Sequence, residues 1–460
     1  MTFPPYPTYK DSGIEWLGEV PEHWSLSALK RIACLRSGDT INSECIEDTG
    51  EYPVYGGNGL RGYTNTFTHD GLYPLIGRQG ALCGNINYAN GKFWASEHAV
   101  VVSPVQAVVQ CWLGELLRAM NLNQHSVSAA QPGLSVEIIS NLTIPIPPLP
   151  EQSAITAFLD RETTKIDALV TEQQRLIELL KEKRQAVISH AVTKGLNPAA
   201  PMKDSGIEWL GEVPEHWGVK RARFVVQMNP SKVEIVTLDR DADVSFLPME
   251  AIGDNGKIEL ERTRSIKEVE SGYTYFRNGD VTIAKITPCF ENGKGAVMQG
   301  LIGGIGFGTT ELIVVRPRPT QSISSYLFWL FTSVPFRKLG EASMYGAGGQ
   351  KRVPDDFVKD FAIAFPPLPE QSAIASFLDN ETAKIDTLIA EANHAIELLK
   401  ERRSALISAA VTGKIDVRGM ELGTTMATCF SSDEARAWRM RLAERNLGDT
   451  VEDVRQDRAR

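Results

Sequence analysis

The sequence predicts a mixed α/β (α+β) protein with two globular domains, separated by a pair of long helices that form an antiparallel intrachain coiled coil. Three observations indicate this fold. A fifteen-residue segment occurs twice, a nine-residue segment occurs twice in the same order, and each copy of the shorter segment opens a stretch with apolar residues at helical spacing. Because the order is the same in both halves, the chain carries an internal repeat, and we expect a pseudo-twofold axis.

The repeated segments form a constant frame around two divergent inserts. KDSGIEWLGEVPEHW occupies 10–24 and 203–217, and PPLPEQSAI occupies 147–155 and 366–374. The longer segment is predicted to pack each insert onto the frame. The predicted regions are 1–146 for the first anchor and insert, 147–200 for the first long helix and linker, 201–365 for the second anchor and insert, 366–417 for the second long helix, and 418–460 for a loosely ordered tail.

Each insert is predicted to be a small α/β domain dominated by strands. Short β-forming runs such as LYPLIGRQG at 72–80 and DVTIAKI at 280–286 alternate with glycine and asparagine. These two residue types supply the positive φ that tight turns need. A more helical stretch closes each insert, near 111–121 and 323–340.

Each insert leads into a long helix. Pro150 suits the first helical turn, and Glu151 complements the positive N-terminal end of the helix. Apolar residues then recur at alternating steps of about three and four, a pattern typical of a coiled-coil seam. Neither helix can bury such a seam alone, and a whole domain separates the two, so we expect antiparallel packing. The predicted seam residues are Ile155, Leu159, Ile166, Leu169, Leu176 and Leu180 in the first helix and Ile374, Leu378, Ile385, Leu388, Leu399 and Leu406 in the second.

Composition excludes several classes of protein. With 460 residues and 42% hydrophobic content, the chain is long enough for two or three domains with their own cores. No apolar run approaches the roughly 18 residues that span a bilayer, and no signal peptide is visible. The six cysteines include no C-x-x-C pair, which argues against structural zinc or a disulfide scaffold. We therefore expect a cytoplasmic protein.

Motifs for catalysis are absent from the sequence. Gly293-Lys294 is followed by glycine, whereas a phosphate-binding loop needs serine or threonine there. Phe3-Pro4-Pro5-Tyr6 lacks the polar first residue with which adenine methyltransferases hold a flipped base. We expect no catalytic residue, metal site or cofactor in this chain.

Polar loops next to glycines are the best candidates for function. Arginine can bond a guanine edge in two places, and asparagine or glutamine can do the same to adenine. The candidate DNA-binding residues are Asn58, Arg61, Arg78, Gln79, Lys92 and Gln131 in the first insert and Lys285, Thr287, Asn292, Lys294, Tyr345, Gln350, Lys351 and Arg352 in the second. The net charge of −9 opposes phosphate binding, so basic residues must share one face or partners must supply phosphate contacts.

In this arrangement the chain resembles the specificity subunits of type I restriction–modification enzymes. The resemblance is carried by the paired SGIEWLGEVPEHW and PPLPEQSAI segments, the run FLD…ET…KID at 158–167 and 377–386, and the paired IELLKE at 177–182 and 396–401. It implies that each insert is a target recognition domain that reads one half of a split, asymmetric sequence in double-stranded DNA.

The resemblance also implies partners. The two helices would separate the readers and dock two methyltransferase subunits, which use S-adenosylmethionine to methylate adenine. Two ATP-dependent restriction subunits would translocate and cut unmethylated DNA, as in defence against phage. The specificity chain itself would have no active site.

Two other classes of function stay open at this stage. A two-headed coiled-coil scaffold that binds proteins rather than DNA would suit the sequence pI of about 5.5. An enzyme in its own right would need a catalytic motif, and methyl-donor or DNA turnover by the purified chain would reveal it.

The helices are predicted to act as a spacer between the half-sites. A helix from Pro150 to Val192 would be about 64 Å long at about 1.5 Å per residue, which caps the gap at about 19 base pairs at about 3.4 Å per pair. Removing whole turns from both helices should shorten the gap and keep both half-sites. Mapping methylated adenines in cells with the shortened chain measures this, and an unchanged gap would contradict the spacer role.

Overall fold

The computed structural model describes residues 3–80, 82–126, 133–254, 256–346 and 349–420. The chain divides into two compact units. The first contains Met1–Gln173 and the chain from His394 onward, and the second contains Gln174–Asn393. Each unit therefore holds one insert and one half of each long helix. Almost all of the predicted tail, residues 421–460, lies outside the described residues.

The first insert consists of two four-stranded sheets. Their strand orders are β6-β5-β10-β7 and β4-β11-β8-β9. Strands β5 and β10 are parallel, and the other pairs in these sheets are antiparallel. The elements are β1 (Tyr9–Asp11), β2 (Glu19–Pro21), β3 (Ser25–Ala28), β4 (Ala33–Ser37), β5 (Tyr52–Gly56), β6 (Gly59–Thr64), β7 (His69–Asp70), β8 (Tyr73–Gly77), β9 (Ile86–Ala89), β10 (Lys92–Ala95), β11 (Ala99–Pro104), α1 (Gln110–Ala119), α2 (Val136–Ser140), β12 (Thr143–Ile146) and α3 (Leu149–Lys194).

The second insert repeats this topology although its sequence differs. Its sheets have the orders β18-β17-β22-β19 and β16-β23-β20-β21, and β17 and β22 are the parallel pair. The elements are β13 (Met202–Asp204), β14 (Glu212–Pro214), β15 (Gly218–Arg221), β16 (Val226–Met228), β17 (Asp243–Leu247), β18 (Thr263–Ser265), α4 (Ile266–Val269), β19 (Thr274–Arg277), β20 (Val281–Ala284), β21 (Gly295–Val297), β22 (Ile305–Gly308), β23 (Leu312–Pro317), α5 (Ser324–Thr332), α6 (Val334–Ala342), α7 (Asp355–Asp360), β24 (Ala362–Phe365) and α8 (Leu368–Val411).

Both inserts return to their starting point before a long helix begins. Strand β12 pairs with β3 in the first unit, and β24 pairs with β15 in the second. The repeated glutamine then fixes the start of the helix. Gln152 donates to Pro147 O (2.9 Å) and accepts from Val109 N (2.8 Å), and Gln371 does the same with Pro366 O (2.9 Å) and Ile323 N (3.1 Å). The same buried bridge thus occurs in both halves and gives the glutamine of the PPLPEQSAI segment the same structural role twice.

The two long helices pair in opposite directions within each unit. In the first unit Ile155 and Ile166 share a core with Leu406 and Ala410, so the start of α3 packs near the end of α8. In the second unit Ile188 shares a core with Ile374 and Leu378, so the end of α3 packs near the start of α8. The predicted antiparallel pairing is confirmed.

Equivalent ion pairs stand at matching places in the two units. Asp167 pairs with Arg403 at 3.2 Å in the first, and Arg184 pairs with Asp386 in the second. Each ion pair joins α3 to α8. The two helices therefore have the same antiparallel register in both units.

The apolar seam has an eleven-residue period. Its most regular members are the buried isoleucines Ile155, Ile166, Ile177 and Ile188 in α3 and Ile374, Ile385, Ile396 and Ile407 in α8. Eleven residues in three turns correspond to about 3.67 residues per turn, whereas a heptad corresponds to about 3.5. A heptad pattern therefore drifts off the buried face within a few turns.

The seam prediction was wrong at three leucines for this reason. Leu169, Leu176 and Leu388 are 49%, 42% and 46% exposed. The other predicted seam residues are buried, except for Leu399, which is partly buried against the first core.

Both ends of the described chain close onto the first unit. Asp416 N donates to Pro4 O at 2.7 Å, and the Arg418 guanidinium lies 4.9 Å from the centroid of the Tyr6 ring. Tyr6 and Trp24 both donate to the buried Glu151 carboxylate. No helix in the described part of the chain is long and apolar enough to cross a membrane.

The eleven-residue seam gives a test with a matched control. Ile166→Ala should lower the free energy of unfolding by about 2–5 kcal/mol, because it leaves a cavity between the paired helices. Leu169→Ala, one turn away but exposed, should change it by no more than about 0.5 kcal/mol. Urea unfolding of the purified chain measures both, and equal destabilisation would contradict the assignment.

Candidate nucleic-acid interface

Three turns of the first insert meet at one edge, which we call the first ridge (56–59, 77–80 with 82–85, and 96–98). Arg78 N donates to His98 O at 2.9 Å, which joins the second turn to the third. The first turn lies against the second so closely that a Cβ on Gly77 would be 2.2 Å from Gly57 O. Only glycine fits at residue 77, so the ridge depends on close contact between backbone segments.

Three polar candidates lie on or beside this ridge. Arg78 Nη1 donates to Ser37 Oγ at 3.1 Å, which orients the guanidinium. Gln79 forms an isolated β-bridge with Gly133, and the side chain of Arg61 lies across Gly56. The ridge therefore presents two arginines and an amide close together.

The remaining candidates of the first insert are placed differently. Asn58 lies in the first turn of the ridge. Lys92 lies at the far end of β10, four residues or about 13 Å from the ridge at about 3.3 Å per residue. Its ammonium is 4.7 Å from the ring centroid of Phe67. Gln131 lies outside the described residues.

In the second insert three segments form what we call the loop cluster (285–288, 309–311, and 345–346 with 349–353). Lys285 N donates to Glu311 O at 2.9 Å, and Val353 N donates to Lys285 O at 2.8 Å. Thr287 N donates to Lys351 O at 3.0 Å. The cluster brings together six of the eight candidates, namely Lys285, Thr287, Tyr345, Gln350, Lys351 and Arg352.

Thr287 holds the loop cluster together. Its hydroxyl donates to Gly349 O at 2.7 Å and accepts from Lys351 N at 3.0 Å. A hydroxyl has one hydrogen to donate, and Gly349 receives it. Thr287 therefore supports its neighbours, while Tyr345, whose residue is 62% exposed, faces solvent.

Arg352 pairs with a residue that the sequence did not single out. Its Nε donates to Glu311 Oε2 at 2.9 Å and its Nη2 donates to Glu311 Oε1 at 2.7 Å. These bonds lower the pKa of Glu311, so its carboxyl is ionised at neutral pH. Glu311 directly precedes the hydrophobic strand β23 in sequence, and no motif distinguishes it there.

The other two candidates have further contacts outside the loop cluster. Lys294 Nζ donates to Met249 O at 3.0 Å. Asn292 N donates to Pro288 O of the cluster at 3.1 Å, and Asn292 also lines a small polar cavity together with Gln185 and Trp329.

The strongest buried charge network of the second insert is structural. Arg316 donates to Asp280 through Nε (2.7 Å) and Nη2 (2.8 Å), and to Glu234 through Nη1 (2.7 Å). Tyr275 donates to the same Glu234, and burial raises the pKa of Tyr275 to about 12. Within the described ranges, no group of three or more His, Cys, Asp or Glu side chains could hold a metal ion.

Comparison with known proteins identifies the repeated domain. The family model described as "Type I restriction modification DNA specificity domain" matches residues 21–179 and 215–398. Each match begins within the repeated anchor and ends within a long helix.

Named relatives match parts of the chain. The EcoAI specificity subunit of Escherichia coli is 45% identical over 165 residues, which are 35% of this chain and 27% of that protein. The EcoprrI specificity subunit is 43% identical over 152 residues, which are 32% and 38%. A putative specificity subunit of Haemophilus influenzae is 25% identical over 345 residues, which are 74% and 81%. The aligned region thus spans well under half of the first two relatives.

Solved structures share the fold. One describes complex assembly and conformational transition of the type I R-M system, with a TM-score of 0.61 and 14% identity over 86% of this chain and 99% of that chain. The HsdS subunit of Thermoanaerobacter tengcongensis gives a TM-score of 0.50 and 16% identity over 86% and 98%.

Thr287→Val tests the architecture of the loop cluster. The substitution removes both hydroxyl bonds to 349–351, so hydrogen exchange of the Lys351 amide should accelerate by about 5- to 30-fold, the equivalent of about 1–2 kcal/mol. Thr387→Val is the control, since among the described residues the Thr387 hydroxyl bonds only to Ala383 O of its own helix. Equal protection of Lys351 in both variants would contradict the role of Thr287.

Proposed function

Since the chain belongs to the family of type I restriction–modification DNA specificity domains and carries two copies of that domain, we propose that it is the DNA-sequence-specificity subunit of a type I restriction–modification complex. One observation carries the proposal. The two inserts have the same strand topology but present different side chains at their turns. Two different readers on one frame are suited to a split target whose halves differ in sequence.

Readout is assigned to the turns where polar candidates gather. In the first insert these are Asn58, Arg61, Arg78 and Gln79, and in the second Lys285, Tyr345, Gln350, Lys351 and Arg352, with Thr287 as their support. Each good bidentate contact to a base edge is worth about 1–3 kcal/mol of discrimination, and DNA shape adds to it. Gln131 and Asn292 remain candidates from sequence, while Lys92 lies at the far end of β10 and the Lys294 ammonium bonds to Met249 O.

The partners are proposed to be two methyltransferase subunits and two ATP-dependent restriction subunits. The chain itself would supply no catalytic group or cofactor. Exposed leucines recur at equivalent places on the two helices, with Leu169 and Leu179 on α3 and Leu388 and Leu398 on α8. Because the same apolar positions are offered twice, two copies of one partner could dock in the same manner.

The net negative charge of the chain supports a role for partner subunits in binding the DNA backbone. The 57 acidic residues outnumber the 48 basic ones and give a net charge of −9, which repels the DNA backbone, so partners would contribute many of the phosphate contacts. The complex would act in the cytoplasm, where it meets both the chromosome and the DNA of invading phage.

A genome-wide map of methylated adenines tests the proposal. Cells that express the chain with its methyltransferase partner should show a split, asymmetric methylated motif. The motif should vanish when the chain is deleted and return when the chain is restored, because the chain selects the sequence.

Methylation that does not depend on the chain would contradict the proposal. If the assembled complex also showed no salt-sensitive, sequence-selective binding of DNA, the protein-binding scaffold would become the better explanation.

A further inference from the structure

The guanidinium of Arg352 is held by one edge only. Glu311 accepts from Nε and Nη2, which together form the side-on edge of the group. Among the described residues, no hydrogen bond involves Nη1. A guanidinium has five N–H donors in one plane, so this pairing leaves the end-on edge, with two parallel N–H groups on Nη1 and Nη2.

The backbone at both partners is fixed. Glu311 N donates to Thr309 Oγ1 at 3.2 Å, and Glu311 O accepts from Lys285 N at 2.9 Å. Arg352 exchanges two backbone hydrogen bonds with Tyr345, at 2.9 and 3.1 Å. Because the ion pair spans two anchored segments, little side-chain freedom remains to be lost when a ligand binds.

The ion pair is within reach of a ligand. The side chains of Arg352 and Glu311 are 36% and 23% exposed. Lys285 and Lys351 belong to the same loop cluster and add positive charge beside the pair. An ionised carboxylate can only accept hydrogen bonds, so Arg352 is the member of the pair that presents donors to a ligand.

We propose that Glu311 is a positioning residue that holds Arg352 as a reader of guanine in the half-site contacted by the second insert. This inference rests on the proposed function. Guanine presents two adjacent acceptors, O6 and N7, in the major groove, and they match two parallel N–H donors. Adenine replaces one acceptor with an amino donor, which would face the guanidinium donors and be rejected.

The test uses the assembled complex with three variants of the chain. Glu311→Gln removes the negative charge that aligns the guanidinium, and Arg352→Lys removes the planar edge but keeps a positive charge next to Glu311. Glu270→Gln is the matched control. It breaks the ion pair of Glu270 with Arg240 in the same insert, near the start of β17, whereas Glu311 follows the end of β22.

The measurement is the binding of each complex to duplexes that carry every base pair at every position of the target. Arg352→Lys and Glu311→Gln should each lower the preference for one G·C pair by about 5- to 150-fold. The affected position should lie in one half-site, and the other half-site should be read as before. Glu270→Gln should leave the whole pattern unchanged.

A double variant separates positioning from general stabilisation. If Glu311 acts through Arg352, the Glu311→Gln/Arg352→Lys double variant should discriminate as well as Arg352→Lys alone. Additive losses would show that Glu311 acts independently and would overturn the inference. If the Glu311→Gln variant does not assemble into the complex, the Arg352→Lys variant tests the inference by itself, because it keeps a positive charge next to Glu311. Full discrimination by Arg352→Lys would overturn the assignment of Arg352 as the reader.

Two further outcomes are distinguishable. A wild-type complex that selects no split sequence would refute the proposed function itself. A wild-type complex that selects a split sequence, with relaxation only at an A·T pair in the Arg352 variant, would refute guanine reading and leave the proposed function standing.

Discussion

The burial of two ladders of isoleucine is the constraint on which the rest of the fold depends. Every eleventh residue of this face in each long helix is an isoleucine that is no more than 8% exposed. A helix of 46 or 44 residues cannot bury such a face by itself. Each unit therefore pairs the two helices in opposite directions, and the second insert occupies the sequence between them.

The repeated segments attach each insert to the long helices in the same way, whatever the sequence of the insert. Gln152 and Gln371 tie each helix start to the last part of its insert, and each insert returns to its first strand beside that start. Trp24 and Trp217 are fully buried in the repeated anchors. These attachments lie outside the first ridge and the loop cluster. The residues of those turns can therefore differ between the two inserts while each domain keeps its strand topology.

The first ridge and the loop cluster are held in place by close backbone contacts and by side-chain hydrogen bonds. In the first ridge, backbone segments approach so closely that a side chain at Gly77 would collide with Gly57 O. In the loop cluster, Thr287 and Glu311 use side-chain bonds to hold the neighbouring loop. Both devices fix polar groups in place, which in the proposed readout would lower the ordering cost of binding DNA.

The sequence by itself determined the repeat, the strand-rich inserts and most of the seam, because each follows from local spacing, while the antiparallel direction was expected from the domain that separates the two helices. Only the tertiary structure decided that Leu169, Leu176 and Leu388 are exposed, because steps of three and four fit a heptad over a short stretch, and the drift of about 20° per heptad turns such residues away only over several turns. It alone showed that the dissimilar inserts share one topology. It also showed that Glu311 meets Arg352, because residues 41 apart in sequence are joined by strand pairing rather than by any local motif.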